Sequence, residues 1–502
     1  MSFNASRERK FGVILSYVSI AVSYLVAMLY TPVTLRLLGQ SEYGLYTLSS
    51  TMVNYLTLLS FGMGASYVRF YSKFKKDKER VDSLNSLYVL VFSAIGFIAM
   101  FVGAILVLNA DAMFSATLTV EEIEKTKIIM VILIINMAVS FPASVFSSFL
   151  TANERFVVLR IIQILKHVLN PLIVLPLLLL GYASIAMTVV FFLVNLAADT
   201  FYFVYAVKKV KMSFSRKYVE WGLLKEIGTF SFFIFLNSIV NEINWNLGKL
   251  LLGIFKGTVA VAIYGVAAQI NTVYISMSTA VSNVYVPKVN QIISATNDSR
   301  EINKLFVKIG RIQFMIQTLI VIGFIFIGKP FVLLWAGEGY EEAYWIILIL
   351  IIPELIPLTQ NLGIEIQRAK NKHQFRAIIY TIIAVLNLLM SIPLGKMYGG
   401  IGCAIGTAFG QIVGNTIIMN WYYQKALDID IKDYWKNILG IFPALIIPVI
   451  VGIVILNIEI LGWMKLLGAG LAIVFSYVVS MWFFGMNEDE KNMILRFARI
   501  CR

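Results

Sequence analysis

The chain has 502 residues, 59% of them hydrophobic and only 14% charged, with a mean hydropathy of +0.81. Soluble proteins carry about 25% charge, and no polar interruption here is long enough to fold alone, so a water-exposed catalytic domain is excluded. The formal net charge of +14 does not mark a nucleic-acid partner, because its cations are dispersed among apolar stretches and share no folded face.

A helix needs about 20 apolar residues to cross a hydrocarbon layer. Such stretches fall at about 11–36, 43–70, 84–108, 128–150, 158–180, 184–207, 228–252, 260–286, 309–333, 343–366, 377–396, 401–424, 438–457 and 466–485. The first runs from Phe11 to Leu35, too long for a signal peptide, and no small-residue cleavage site follows it. Basic clusters precede it (Arg7, Arg9, Lys10) and recur at every second turn: Arg69 to Arg80, Lys208 to Lys225, Lys288 to Arg311 and Arg368 to Arg376. The intervening turns are poor in cations and partly acidic, as at Glu121, Glu122 and Glu124. The positive-inside rule then makes the basic turns and both termini cytoplasmic, with the chain a multi-pass protein of the cell membrane.

Two connecting segments read as helices on the cytoplasmic surface. Within 214–226, Tyr218, Trp221 and Leu224 dip toward lipid while Arg216, Lys217 and Lys225 meet headgroups. The tail opens Asn487-Glu488-Asp489-Glu490, a capping sequence, and then sets Met493, Ile494, Phe497 and Ile500 on one face. Cys403 lies on a span and Cys501 on the tail, so they stay unpaired.

An internal repeat organises the spans. Leu35-Arg36-Leu37-Leu38-Gly39 followed by Tyr43-Gly44 is echoed by Lys249-Leu250-Leu251-Leu252-Gly253 followed by Tyr264-Gly265. Leu169-Asn170-Pro171-Leu172, with Pro176 and Gly181, is echoed by Leu386-Asn387-Leu388-Leu389, with Pro393 and Gly399. The expected fold is all-α integral membrane, with about 14 transmembrane helices. Residues 1–210 and 211–426 form two six-helix lobes in parallel repeat, and residues 427–502 add two C-terminal spans and the amphipathic tail.

The segment Thr31-Pro32-Val33-Thr34-Leu35-Arg36-Leu37-Leu38-Gly39-Gln40-Ser41-Glu42-Tyr43-Gly44-Leu45-Tyr46 resembles the opening signature of the oligosaccharide flippase family. These are the Wzx-like polysaccharide biosynthesis proteins of the MOP superfamily, which also holds the lipid II flippases and the MATE drug exporters. Asn246-Leu247-Gly248-Lys249-Leu250-Leu251-Leu252-Gly253 with Ala262-Ile263-Tyr264 is similar to a second family segment, although the family often has Asp where Gly248 stands. The similarity runs over essentially the whole chain. It implies a MATE-like fold without enzyme activity, moving a polyprenyl-pyrophosphate-linked oligosaccharide from the cytoplasmic to the outer leaflet by alternating access. H+ or Na+ would be the coupling ion, membrane lipids the surroundings, and glycosyltransferases and a polysaccharide polymerase the pathway partners. Lipid II flipping and MATE-type cation or drug antiport are rivals within transport. A membrane-embedded polysaccharide polymerase is the rival from another class; it needs a large external loop or an acid pair, and the external turn 109–127 offers neither.

An ionised group at mid-helix costs about 2.5 to 3.5 kcal/mol to insert, so each needs a partner, a wet cavity or an interface. Arg36 and Lys249 lie near the outer ends of spans 1 and 7, where they either clamp a pyrophosphate or snorkel outward. Arg69 and Arg160 flank the cytoplasmic entrance, and Lys166 sits deeper, beside a packing residue, His167. Asn237, Asn241, Asn244 and Gly248 form one polar stripe on span 7, and Asn361 and Glu365 continue a second on span 10. Amides suit sugar hydroxyls, though inter-helix hydrogen bonding explains each singly. Glu242, Glu354 and Asp199 are carboxylates placed to take up the coupling ion, and Asn195, Gln411 and Asn415 lie at matching repeat positions. Two histidines, two distant cysteines and no Gly-rich phosphate loop leave no metal or nucleotide cofactor to expect.

Overall fold

The computed structural model describes residues 5–215, 221–296, 298–370, 372 and 374–500. Every regular element among them is helical, because a helix satisfies its backbone within one segment while lipid offers no partners. Among the described residues, eleven helical stretches are long and apolar enough to cross a membrane. Two of them, Ile14–Phe74 and Gln374–Ala426, run 61 and 53 residues, far more than one crossing requires. Each bends at a glycine with positive φ, Gly39 at 74° and Gly399 at 60°. Both bends fall in the expected gaps between spans, at 36–43 and 396–401.

The chain condenses into two compact units, Met1–Gly265 and Val266–Arg502. The first contains α1 (Ala5–Tyr55), α2 (Met63–Phe74), α3 (Lys78–Leu108), α4 (Ala110–Phe114), α5 (Val120–Ala152), α6 (Phe156–Leu179), α7 (Ser184–Val204), α8 (Trp221–Phe255) and the opening turns of α9 (Thr258–Ala295). In it α3 packs on α5, α5 on α7, and α6 along α1. Its core is aromatic, with Tyr67, Phe70, Tyr88 and Phe149 buried, and Tyr67 donating to Asn85 Oδ1 at 2.5 Å. Asp77 caps α3, and Thr119 with Glu122 forms a reciprocal capping box on α5.

Small residues explain why α8 and the head of α9 join this unit. A Cβ on Gly44 of α1 would run into the Thr258 carbonyl, and one on Gly253 of α8 into the Leu48 side chain. Thr117 Oγ1 donates to Gly253 O at 2.8 Å, tying the α4–α5 turn to the same corner.

The second unit holds the rest of α9 and α10 (Ser299–Ala336), α11 (Glu341–Thr359), α12 (Leu362–Ala369), α13 (Gln374–Gly410), α14 (Met419–Ala426), α15 (Ile431–Leu439), α16 (Ile446–Leu456), α17 (Trp463–Ser480) and α18 (Glu488–Ile500). A segment of wider helical turns at Gln411–Ile418 separates α13 from α14. Helix α10 is the hub, contacting α11, α15, α16 and α17 around Phe306, Phe314, Tyr423 and Tyr434. Three pairs of helix starts keep a similar offset along the chain. Lys78 of α3 and Ser299 of α10 stand 221 residues apart, as do Val120 of α5 and Glu341 of α11, while Phe156 of α6 and Gln374 of α13 stand 218 apart.

The surface helix expected over 214–226 does not form as one piece among the described residues. Ser213–Ser215 is coil, strapped to α3 by Ser215 N donating to Asp82 O and Ser213 Oγ donating to Asp82 Oδ1. Trp221 to Glu226 is the opening of α8, and Arg216, Lys217 and Tyr218 lie outside the described residues. The tail helix α18 does form where expected, with Asn487 Oδ1 accepting from Glu490 N at 2.9 Å.

Candidate substrate and ion sites

Lys166 sits half-buried on α6, and the charge nearest in effect is Asp199 on the neighbouring α7. The Asp199 carboxylate also accepts from Ser140 Oγ of α5 at 2.7 Å. Three helices thus bring together a cation assigned to substrate and a carboxylate assigned to the coupling ion. A buried cation and carboxylate stabilise one another, and either is left uncompensated when its partner engages a ligand.

Helix α8 carries a second such pair. Glu242 accepts from Asn246 Nδ2 at 2.6 Å and lies in electrostatic reach of Lys249, two turns further on. Tyr55 of α1 also faces Glu242, with its hydroxyl buried and without a hydrogen-bond partner. The Asp that relatives often carry at position 248 has no room here, since the Tyr264 ring stands 2.8 Å from a Cβ on Gly248.

Of the remaining expected cations of this unit, two are exposed and Arg160 is half-buried. Arg36 is exposed three residues before the Gly39 bend, and Arg69 is exposed on α2. Arg160 donates to Gln163 Oε1 at 2.6 Å. Asn241 is exposed, whereas Asn244 is buried with Oδ1 unpaired. The Asn237 side chain lies outside the described residues.

In the second unit Glu354 of α11 is 5% exposed, with Arg376 of α13 and Gln411 in reach of its carboxylate. Its Oε1 has no partner. Gln411 and Asn415 hydrogen-bond each other one turn apart. Asn361 is buried just before α12, and Glu365 pairs with Arg368 at 2.7 Å.

Sequence reasoning missed two groups. One is a row of buried polar residues on α9 and α10, including Tyr274, Ser278, Gln313 and Gln317. Their helical spacing was the available signal, but it does not separate a site from packing. The other is a clasp at one end of the first unit. Glu122 Oε1 accepts from Ser41 Oγ at 2.5 Å and from Thr258 Oγ1 at 3.0 Å. Glu42 accepts from Lys125 Nζ at 2.7 Å and from the Ser184 hydroxyl. Three residues of the opening signature, Ser41, Glu42 and Gly44, therefore serve this corner.

Residues 10–292 match the family model described as polysaccharide biosynthesis protein. The chain belongs to that family. "Uncharacterized membrane protein EpsK" of Bacillus subtilis (strain 168) is 20% identical over 488 residues, 95% of either chain. The lipid II flippase MurJ in an inward closed conformation superposes with a TM-score of 0.73 at 17% identity, over 94% of this chain and 98% of that one. An inward-facing MATE-family multidrug resistance transporter of the MOP superfamily superposes at 0.64 and 14% identity, over 83% of this chain and 99% of its own. A mutant of the Vibrio cholerae MATE transporter VcmN gives 0.57 and 16%, over 84% and 98%. The family member is thus an all-α multi-pass membrane protein of polysaccharide biosynthesis. Its fold is that of the MurJ and MATE transporters just named.

Proposed function

We propose that the protein flips a polyprenyl-pyrophosphate-linked oligosaccharide from the cytoplasmic to the outer leaflet by alternating access. Family membership and the flippase-like fold support this. The observation that carries it is the half-buried Lys166 beside Asp199 inside the helical bundle, because charges persist within spans only where a partner or water reaches them.

In this reading residues 1–210 and 211–426 are six-span lobes of a transporter with about 14 crossings, residues 427–502 add the last two, and both termini are cytoplasmic. Arg36, Arg69, Lys166 and Lys249 meet the pyrophosphate, Arg through paired donors and Lys as point charges. Asn241, Asn244 and Asn361 meet sugar hydroxyls. Glu242, Glu354 and Asp199 exchange H+ or Na+ as the lobes reset. Glycosyltransferases supply the lipid-linked substrate and a polymerase consumes it.

Arg36→Ala and Lys166→Ala are expected to abolish complementation of a flippase-deficient strain with protein levels unchanged. Full complementation by both variants would remove the pyrophosphate clamp. Lipid II is the second substrate to assay, since the likeness to MurJ spans nearly the whole chain.

A further inference from the structure

We propose that the exposed face of α3, with the strap Ser213–Ser215 beside it, is a site for one anionic phospholipid. The site uses none of the residues that the proposed function assigns, and its occupancy is measurable without transport.

One stripe of α3 makes the groove. Ser86, Leu90, Ser93, Ala94 and Phe97 stand at i, i+4, i+7, i+8 and i+11, so they share one face of the helix. Among the described residues they line, together with Phe214 of the strap, an open cavity of about 840 Å³. The small side chains of Ser86, Ser93 and Ala94 leave its floor low. Leu90, Phe97 and Phe214, at 63, 73 and 47% exposure, stand up as its walls. From Ser86 to Phe97 the helix axis advances about 16 Å, close to the hydrocarbon depth of one leaflet, about 15 Å. That length suits a phospholipid acyl chain and falls far short of a polyprenyl tail.

The strap is fastened on both sides of its apolar residue. Met212 N donates to Ala206 O at 2.9 Å, and Asn85 Nδ2 donates to Ser213 O at 2.9 Å. Ser213 Oγ donates to Asp82 Oδ1 at 2.6 Å, and Ser215 N donates to Asp82 O at 3.1 Å. Met212 is buried in the aromatic core of the unit, whereas Phe214 is held out over the groove. A fixed aromatic wall lets a chain pack without the cost of ordering a loop.

Charge selects the headgroup. Lys208, Lys209 and Lys211, just before the strap, are exposed and pair with no carboxylate among the described residues. The approach to α3 adds Lys75, Lys76, Lys78 and Arg80 against Asp77 and Glu79, while Asp82 is occupied by the strap. A surplus of cations at the mouth of an apolar groove attracts an anionic headgroup over a zwitterionic one.

The test is native mass spectrometry of the purified, delipidated full-length protein, titrated with dioleoyl phosphatidylglycerol or dioleoyl phosphatidylcholine. The first phosphatidylglycerol is expected to bind about tenfold or more tightly than the first phosphatidylcholine. Ala94→Trp fills the groove from an exposed position; it is expected to weaken both lipids about tenfold, with Tm in lipid-free detergent unchanged. Lys208→Gln, Lys209→Gln and Lys211→Gln together are expected to erase the preference and keep the weaker, chain-driven binding. Equal affinity for the two lipids, a preference that survives the three lysine substitutions, or undiminished binding by Ala94→Trp would overturn the site. Displacement of phosphatidylglycerol by an equimolar polyprenyl phosphate would do so too, giving the groove to the transport substrate. Lipid binding as expected without flipping in vesicles would count against the proposed function alone.

Discussion

Every guanidinium nitrogen of Arg311 is engaged. Nε and Nη2 bond the Glu490 carboxylate at 2.7 and 2.9 Å, Nη1 bonds Asn437 O at 2.8 Å, and Nη2 also bonds Gly485 O at 2.7 Å. Both charged residues are under 10% exposed, so deleting one strands the other in the interior. Arg311→Ala or Glu490→Ala is expected to cost about 3 to 5 kcal/mol, read as a lowered Tm. Arg311→Lys is expected to recover little, because a point charge cannot reach three acceptors on a planar fork. In the sequence Arg311 is one more member of a cytoplasmic basic cluster; nothing in its neighbours reveals that α18, 179 residues away, closes over it. Gly44 is the opposite case. Its place in the opening signature was legible, but only the Thr258 carbonyl beside it explains why a side chain is refused. Gly44→Ala is expected to destabilise by about 1 to 3 kcal/mol through overpacking.

Among the elements, the two bent helices show how local chemistry divides a long apolar run. Gly39 has φ 74° and ψ 174°, a region essentially closed to residues with a Cβ. A Cβ there would meet nothing within 4 Å, so any penalty is conformational and not steric crowding. Gly39→Ala is expected to cost about 1 to 3 kcal/mol and to show as lower Tm and yield, despite the open space. The capping sequence at Asn487–Glu490 forms as its spacing expects, because a cap depends on residues three apart. Ahead of residues 216–220, which lie outside the described ones, Asp82 on another helix takes the Ser213 hydroxyl and the Ser215 N–H into a tertiary strap that no local pattern announces. Pro32 of α1, Pro142 of α5, Pro171 and Pro176 of α6, and Pro353 and Pro357 of α11 lie inside their helices.

For the whole molecule, the clasp at Ser41, Glu122 and Thr258 joins α1 and α5 to the head of α9. On the proposed topology this end faces outward and has to part when substrate leaves. Ser41→Cys with Thr258→Cys, in a background lacking Cys403 and Cys501, places two thiols where hydroxyls now stand 3.5 Å apart. Oxidation is expected to block transport and reductant to restore it. Unchanged transport by the fully cross-linked protein would show that the clasp stays shut throughout the cycle.

The all-α, many-span class of the protein was decided by the sequence alone, because hydrocarbon demands apolar helices of a set length. Individual ionisable residues were legible for the same reason: a charge within an apolar run stands out. Their pairings were not. Lys166 with Asp199, and Glu354 with Arg376, each depend on which helix faces meet, and a periodic pattern leaves that rotation open. Only packing, through contacts as close as Gly44 on Thr258 and Gly253 on Leu48, selected one arrangement from the many that the same stripes allow.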